Sequence, residues 1–423
     1  MRRAFSFVHA ADLHLDSPFR GLTTQVPEIA RALRDATFTA FDHLVQLCLD
    51  ARIDFLVVAG DVFDAAERSV RAQLRFRDGL ARLAANGISS FVAFGNHDHL
   101  GAWSPAVTWP ERVHVFGPDV TTALARRGEA PLAAITGVSY PRQSEPRNLA
   151  TMLTAATADP ADADLFRVAV LHANVGSRPG HDNYAPCTVG DLARGPFDYW
   201  ALGHVHTREV LCERPYAAFP GNTQGRHINE DGARGCLLVR VDAAGTVSTA
   251  FHAVDALRWS TTEVSIEGLV AVDALRGRVA EALEALRADS DGRPLLTRVR
   301  LTGRGPLFHD LRTNRALDDV LDSLRDQHVN AAPFVWVDQI EVACRPTIDL
   351  AARAASPDLL GEVLRGREEL RSGGLDALRT ELAALYDHPR VRRILTSAPD
   401  DGDLQQWLDA AALACVDGLE GDD

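Results

Sequence analysis

The chain has 423 residues, more than one typical domain contains, so we expect two or three domains. Its hydrophobic content of 46% is ordinary for a globular protein, and no apolar stretch reaches the roughly 18 residues that a membrane span needs. The net charge of −14 argues against nucleic-acid binding by bulk attraction, although eight acidic residues fall after Arg393. Asp12 interrupts the apolar run that starts at Phe5, so this segment predicts a buried strand rather than a signal peptide. The six cysteines have no zinc or disulfide spacing, and we expect a mature cytoplasmic protein.

Predicted strands and helices alternate from Phe5 to about residue 140. Buried strands are expected over Phe5–Ala10, Asp54–Ala59 and Ile88–Phe94, and helices over Ile29–Ala51 and Ser69–Asn86. Short strands follow between Val113 and Val138, then buried strands at Phe166–Leu171 and Phe197–Leu202, and a hairpin at Arg234–Val241 and Val247–His252. Two sheets packed face to face with helices outside accommodate this order, so we expect an α/β sandwich with four layers, α/β/β/α.

The pattern changes near Asp255. Strands at Thr262–Ile266, Thr297–Thr302 and Val335–Cys344 alternate with helices at Ala271–Ala288 and Ala316–Arg325, which predicts a small α+β unit. After Pro346 only short amphipathic helices are predicted, at Leu359–Leu370, Leu375–Tyr386, Val391–Leu395 and Leu404–Cys415. We therefore expect a first domain at 1–255, an α+β cap at 256–345 and a helical region at 346–423.

Seven side chains of the kinds that bind metals follow the apolar runs of the first domain. They are Asp12 and His14, Asp61, Asn96, His172, and His204 with His206. A parallel sheet brings the carboxyl ends of its strands to one edge, where α/β proteins bind ligands. Carboxylates, imidazoles and an amide gathered there can hold two divalent cations, which suit the hydrolysis of phosphate esters.

Each motif also has an ordinary structural interpretation. Asp12-Leu13-His14 is a weak signal alone, and His172 after a β-branched run is more often a core histidine. Gly95-Asn96-His97-Asp98 could be a simple turn, and Gly203-His204-Val205-His206 is stronger because both imidazoles project to one side. The conjunction of these motifs at strand ends favours the metal site. Zinc remains open, but the mixture of Asp, Asn and His also suits Mn²⁺, Fe²⁺ or Mg²⁺.

Further residues next to the ligands are candidates for catalysis or positioning. His97 can serve as a proton donor, and we expect Asp98 to orient its imidazole. Asp64 is either a hydrogen-bonding partner behind the ligands or a helix cap. Arg226 and His227 are candidate phosphate contacts, with an ordinary exposed turn as the alternative.

Taken together, the motifs resemble those of the calcineurin-like metallophosphoesterases, over roughly residues 5–255. Within that family, the stretches His14–Phe19, Gly60–Asp64 and Pro220–His227 are most similar to the double-strand-break repair nucleases of the SbcD and YhaO type. Position 64 departs from the pattern, because some members have His there. The motif Gly-Asn-His-Asp argues against the protein serine/threonine phosphatases.

The resemblance implies two metal sites that share one carboxylate. One metal would take Asp12, His14, Asp61 and His206, and the other Asp61, Asn96, His172 and His204, with His97 as the catalytic histidine. The resemblance further implies a Mn²⁺-dependent DNA exonuclease or endonuclease that acts in DNA repair as a homodimer. It also implies a partner ATPase of the SMC type, which has a long coiled coil and docks on the C-terminal helices of this chain. Two alternatives remain: a phosphodiesterase or phosphatase for small molecules, and a non-enzymatic scaffold.

Overall fold

The computed structural model describes residues 3–19, 26–64, 69–101, 107–155, 164–178, 183–313, 315–347, 349–386 and 399–420. The chain divides into two compact units. The first consists of Met1–Thr262 with Ala282–Arg298 and Leu324–Gln339, and the second of Glu263–Glu281, Val299–Ser323 and Ile340–Asp423.

Two six-stranded sheets form the body of the first unit. The first sheet has the order β12-β11-β1-β2-β3-β4, with strands β1 (Phe5–Ala10), β2 (Phe55–Ala59), β3 (Ser89–Ala93), β4 (Val113–Val115), β11 (Gly235–Val241) and β12 (Val247–Ala253). The second has the order β5-β6-β7-β8-β10-β9, with β5 (Thr121–Arg127), β6 (Ala130–Gly137), β7 (Phe166–His172), β8 (Tyr199–Gly203), β9 (Glu209–Glu213) and β10 (Tyr216–Phe219). Strands β1 to β4 are parallel, as are β6, β7, β8 and β10, so their carboxyl ends share one edge in each sheet.

Aromatic side chains fill the space between the two sheets. Alternate residues of β1 face inward, and the Phe7 ring stacks on Phe55 with centroids 4.8 Å apart. The same ring meets Tyr199 of the second sheet edge-on at 5.1 Å. His9 lies on this face too, between the Tyr199 hydroxyl (3.0 Å) and the Leu202 carbonyl (3.1 Å), and burial lowers its pKa to about 3. These contacts tie β1 to β8 just before the chain reaches Asp12.

Helices cover the outer face of each sheet, which confirms the predicted four layers. Helices α1 (Pro27–Asp50) and α2 (Val70–Ala85) pack on the first sheet, and the short α3 (Leu149–Ala155) and α4 (Val189–Ala193) pack on the second. The Ser69 side chain caps α2 by accepting from the Ala72 N–H, and Gly87 at φ +78° follows its end. Helices α3 and α4 were not predicted because seven and five residues carry too little periodicity.

The remainder of the chain contains a third sheet and further helices. Strands β13 (Arg258–Ser265), β14 (Leu295–Thr302) and β15 (Val335–Val342) form a sheet in that order, and helices α5 (Val272–Ala288), α6 (Leu307–Thr313) and α7 (Ala316–His328) lie between them in sequence. Next come α8 (Leu350–Ala354), α9 (Leu359–Glu369), a π-helical turn at Leu370–Gly374, α10 (Leu375–Tyr386) and α11 (Asp401–Glu420). The predicted helix at Val391–Leu395 lies outside the described residues. Across the described part of the chain, no helix combines the length and apolarity of a membrane span.

Candidate metal centre

The seven predicted ligands come together at the carboxyl-end edge of the two sheets. Four of them have a left-handed backbone: Asp12 at φ 53°, His14 at 43°, Asp61 at 51° and His204 at 103°. Residues other than glycine rarely adopt this conformation, and it persists where the surrounding structure imposes it. Backbone hydrogen bonds do so here, because the Asp12 N–H donates to the Gly60 carbonyl and the His14 N–H to the Asp61 carbonyl, both at 3.0 Å.

The first group of ligand atoms belongs to Asp12, His14, Asp61 and His206. The Nε2 atoms of His14 and His206 lie 3.3 Å apart. His14 Nε2 is 3.8 Å from Asp61 Oδ2, and His206 Nε2 is 3.8 Å from Asp12 Oδ1. The His204 N–H donates to both Asp12 oxygens, at 3.2 and 3.1 Å, and so fixes that carboxylate. Ligand atoms of Asp12, His14 and His206 all lie within 4.8 Å of one another, and Asp61 is connected to them through its contact with His14.

The second group belongs to Asp61, Asn96, His172 and His204. His172 Nε2 lies 3.3 Å from Asp61 Oδ2 and 3.0 Å from Asn96 Oδ1, and His204 Nδ1 lies 3.2 Å from the same amide oxygen. The other nitrogen of His172, Nδ1, meets the Ala59 carbonyl at 2.9 Å, which leaves Nε2 directed at the group. Asp61 Oδ2 contacts both groups and is the atom they share.

Burial and charge act against each other at these ligands. Burial raises the pKa of Asp12 to about 6, although His206 opposes the shift. Burial would also raise the pKa of Asp61, but His172 and His14 outweigh it and hold that pKa well below its usual range. Burial lowers the pKa of His172, yet the Asp61 carboxylate outweighs it and raises the value to about 9. In the absence of a cation, His172 is therefore protonated and lies beside an ionised Asp61.

Two motif glycines permit this close packing. A Cβ atom on Gly60, which lies at φ +92°, would stand 2.3 Å from His172 Nδ1. A Cβ atom on Gly203 would stand 1.8 Å from the Ala59 carbonyl oxygen. Neither distance leaves room for a side chain. Glycine before Asp61 and before His204 therefore allows β2, β7 and β8 to approach closely enough for their ligand side chains to meet.

His97 stands beside the two groups, with 35% of its side chain exposed. Its backbone N–H donates to Asp61 Oδ1 at 3.0 Å, and its Nδ1 lies 3.3 Å from Asp64 Oδ1. The hydrogen bond with Asp64 raises the pKa of His97 despite partial burial. Asp64 is therefore a partner of the imidazole, while Ser69 caps the helix that follows.

The expected role of Asp98 in orienting the His97 ring needs correction. The Asp98 carboxylate accepts from the backbone N–H groups of Gly95 at 2.6 Å, Val62 at 2.7 Å and Phe63 at 3.3 Å. It is fully buried, and burial raises its pKa to about 7. Asp98 thus joins the loop after β3 to the loop after β2, and it positions Asn96 and Asp61 through the backbone.

Sequence reasoning missed Glu230, which holds the outer nitrogen of His206. Its Oε1 lies 2.5 Å from His206 Nδ1 and 3.4 Å from His227 Nε2, and its Oε2 accepts from the Arg226 N–H at 2.7 Å. Burial would raise the pKa of Glu230, but the hydrogen bond and charge of His206, together with Arg226, outweigh it and lower the pKa to about 2. The only signal in the sequence is an acidic residue close after a glycine-rich stretch, which is common on surfaces.

The predicted phosphate contacts flank the same ligands. Burial lowers the pKa of His14, and the nearby Arg226 guanidinium lowers it further. Arg226 is largely buried rather than part of an exposed turn, whereas the His227 side chain is 37% exposed and paired with Glu230. Arg226 therefore brings a positive charge to the first ligand group.

The donor set fits divalent cations. Two nitrogens bound tetrahedrally at about 2.0–2.1 Å from one cation lie about 3.3–3.4 Å apart, close to the His14–His206 separation of 3.3 Å. His172 and His206 each direct their second nitrogen to an oxygen acceptor, as metal-ligating histidines do. The arrangement is therefore consistent with two cations on either side of Asp61.

Comparisons with known proteins identify the class. A family model for calcineurin-like phosphoesterases matches residues 5–208, and a model for the middle domain of metallophosphoesterase YhaO matches residues 259–345. The uncharacterized metallophosphoesterase YhaO of Bacillus subtilis is 37% identical over 335 residues, which cover 78% of this chain and 80% of that protein. The chain belongs to the calcineurin-like metallophosphoesterase family, as its motifs predicted. It is accordingly a metal-dependent hydrolase, and its family uses a centre of two metals.

Two more distant relatives carry names of nucleases or DNA repair proteins. The DNA double-strand break repair protein Mre11 of Methanopyrus kandleri is 28% identical over 283 residues, which cover 61% of this chain and 59% of that protein. The D component of the nuclease SbcCD from Bacillus subtilis is 26% identical over 265 residues, which cover 53% of this chain and 63% of that protein. The chain thus spans about six-tenths of the length of these two relatives.

Proposed function

We propose that the chain is a two-metal DNA nuclease that acts in DNA repair. The observation that carries the proposal is the pair of ligand groups joined at Asp61 Oδ2, which lies 3.8 Å from His14 Nε2 and 3.3 Å from His172 Nε2. This arrangement suits phosphodiester hydrolysis. The relatives named for double-strand-break repair and as a nuclease favour DNA as the substrate. A small-molecule phosphodiesterase built on the same centre is the alternative.

In this proposal each ligand group holds one cation. The first is held by Asp12, His14, Asp61 and His206, and the second by Asp61, Asn96, His172 and His204. Oxygen and imidazole donors together favour Mn²⁺, with Fe²⁺, Mg²⁺ and Zn²⁺ as competitors. When bound, the cations supply Lewis acidity at the phosphate and lower the pKa of a water molecule.

The protein's own residues orient the substrate and move a proton. His97 is partly exposed at the edge of the ligand groups, and the hydrogen bond with Asp64 raises its pKa, so its ring keeps a proton to higher pH than a free imidazole. We assign to it the proton donated to the leaving oxygen. Arg226, next to His14, contributes positive charge to the phosphate, and Glu230 keeps the His206 ring in its ligating orientation. His227, bound to Glu230, is a second candidate phosphate contact.

The remaining assignments concern partners. The SbcCD relative is named as one component of a larger nuclease, which favours a partner for this chain as well. We propose an SMC-type ATPase with a coiled coil, which would dock on the helices from α8 onward, and a homodimer of the nuclease chain. Co-purification of the full chain with the neighbouring gene products tests this assignment.

Hydrolysis assays separate the two substrate classes. Plasmid and hairpin DNA are incubated with the protein and Mn²⁺, in parallel with bis-p-nitrophenyl phosphate and cyclic nucleotides. The nuclease proposal predicts DNA cleavage that EDTA abolishes and that Asp61→Asn lowers at least a thousandfold, since both ligand groups lose their shared carboxylate. Intact DNA alongside rapid turnover of the small diesters would favour the alternative. No hydrolysis of any phosphate ester by the wild-type protein would favour a scaffold.

A further inference from the structure

A cavity next to the first ligand group has His206 in its lining. Its volume is about 520 Å³, within the range of ligand-binding pockets. It is lined by the segments after β8 and β10, by the loop before β11 and by Phe251 of β12. His206 belongs to both places, because its imidazole is in the first ligand group and its residue lines the cavity.

Arg208 presents an unpaired cation at this cavity. Its guanidinium lies 4.2 Å from the centroid of the Phe251 ring, which holds it by a cation–π contact. Within the part of the chain that the structure describes, Arg208 has no carboxylate partner. Arg178 and Arg147, by contrast, are each bound to a glutamate. The Arg208 charge is therefore positioned and left available to a ligand.

Arg234 contributes a second cation and holds the cavity walls together. Its guanidinium donates to the His206 carbonyl at 2.7 Å, to the Asp231 carbonyl at 2.8 Å and to Asn222 Oδ1 at 3.3 Å. These are neutral acceptors on three separate segments, so the charge of Arg234 is not cancelled by its hydrogen bonds. Asp231 supplies one carboxylate to the lining, against two guanidinium groups. Glu230 and Asp255 also act on Arg234, so the cation at the cavity that has no carboxylate partner among the described residues is Arg208.

The position of Arg208 suits a substrate with several phosphates. It follows His206 by two residues, so the two Cα atoms are at most about 7 Å apart. Successive phosphates of one nucleic-acid strand advance about 3.4 Å along the duplex axis. A strand cut at the ligand groups therefore has further phosphates over the span of residues 206–208, whereas a small diester has no second phosphate to place there.

We propose that the cavity beside His206, with Arg208 over Phe251, binds a second phosphate of an oligonucleotide strand. The inference rests on the proposed function, because it assumes that a phosphodiester is cut at the neighbouring ligand groups. It names the substrate as a chain with several phosphates, and it makes Arg208 a determinant of the preference for such chains over small diesters.

The test compares Arg208→Ala and Arg208→Glu with Arg240→Ala. Arg240 is an exposed arginine of β11 that pairs with Ser6 at the opposite end of the sheet, so it is a matched control for the loss of one positive charge. Binding of a fluorescein-labelled 12-nucleotide strand is followed by anisotropy in EDTA, where no hydrolysis occurs. The ratio of kcat/KM for the oligonucleotide to kcat/KM for bis-p-nitrophenyl phosphate is measured with Mn²⁺.

We expect Arg208→Ala to raise the oligonucleotide Kd about tenfold at low salt and to lower that kcat/KM ratio by a similar factor. The slope of log Kd against log salt concentration should fall by about one, which marks a lost phosphate contact. Arg208→Glu should raise the Kd and lower the kcat/KM ratio by more than Arg208→Ala does. Arg240→Ala should match the wild type in both. Arg208 variants that behave like Arg240→Ala overturn the proposal.

The two proposals fail in different ways. If the oligonucleotide is cut but the Arg208 variants equal the control, the phosphate subsite is wrong and the nuclease function stands. If the oligonucleotide binds through Arg208 but is never cut with Mn²⁺, the subsite stands and the nuclease function is wrong.

Discussion

The replacement of Glu230 by glutamine tests how the first ligand group is held. The change keeps the size of the side chain and removes its charge at the Oε1 atom, which lies 2.5 Å from His206 Nδ1. Hydrogen bonds between an imidazole and a carboxylate are about twice as strong as neutral ones. Partners of this kind behind a metal-binding histidine are worth about 10- to 100-fold in metal affinity, or about 1.4–2.7 kcal/mol.

Glu230→Gln should therefore weaken the binding of the cation assigned to Asp12, His14 and His206. The affinity for the other cation should be almost unchanged. Calorimetric titration with Mn²⁺ measures both affinities. Glu145→Gln is the matched control, because Glu145 is equally buried but accepts hydrogen bonds from Arg147 instead of a histidine. Two unchanged affinities would refute the reasoning, as would an equal loss at both cations that accompanies a lower melting temperature.

Four further predictions concern the second ligand group and His97. Gly60→Ala should lower the free energy of unfolding by about 3 kcal/mol or more and displace His172, because the new Cβ would stand 2.3 Å from His172 Nδ1. Gly87→Ala is the control: the space around Gly87 is open, so thermal unfolding should show a loss of only about 1 kcal/mol. His97→Ala should lower kcat about a hundred- to ten-thousandfold, with metal binding retained. Asp64→Asn should shift the alkaline limb of the pH–rate profile to lower pH, because the variant loses the hydrogen bond that raises the His97 pKa. A limb that stays in place contradicts the assignment. Finally, His172, with a pKa of about 9, should release about one proton on metal binding at pH 7.5 and none above about pH 10, which calorimetry in buffers of different ionisation enthalpy would detect.

The strand-end positions of the ligands could be predicted from the sequence because they follow from periodicity. Apolar runs marked the parallel strands, and parallel strands bring the residues after them to one edge. His9 and His172 both lie in apolar surroundings, but only His172 follows the apolar run of its strand. His9 falls within β1 and faces the second sheet, whereas His172 ends β7 and faces Asp61. The position in the strand and the residues it faces therefore separate the core histidine from the candidate ligand.

The hydrogen bonds behind the ligands were less accessible to sequence reasoning. Asp98 follows His97 directly, yet its carboxylate turns to the backbone of Val62 and Gly95, while Asp64, 33 residues away in sequence, meets the imidazole. Glu230 reaches His206 from a loop between β10 and β11. These contacts depend on how loops fold over the sheet edge, and no local pattern in the chain encodes that.

The proposed chemistry requires two cations bound on either side of Asp61. The most direct measurement is anomalous diffraction at the manganese edge from crystals of the protein grown with Mn²⁺. We expect two peaks, one among Asp12, His14 and His206 and the other among Asn96, His172 and His204, with the Asp61 carboxylate between them. A single peak, or peaks away from these residues, would contradict it.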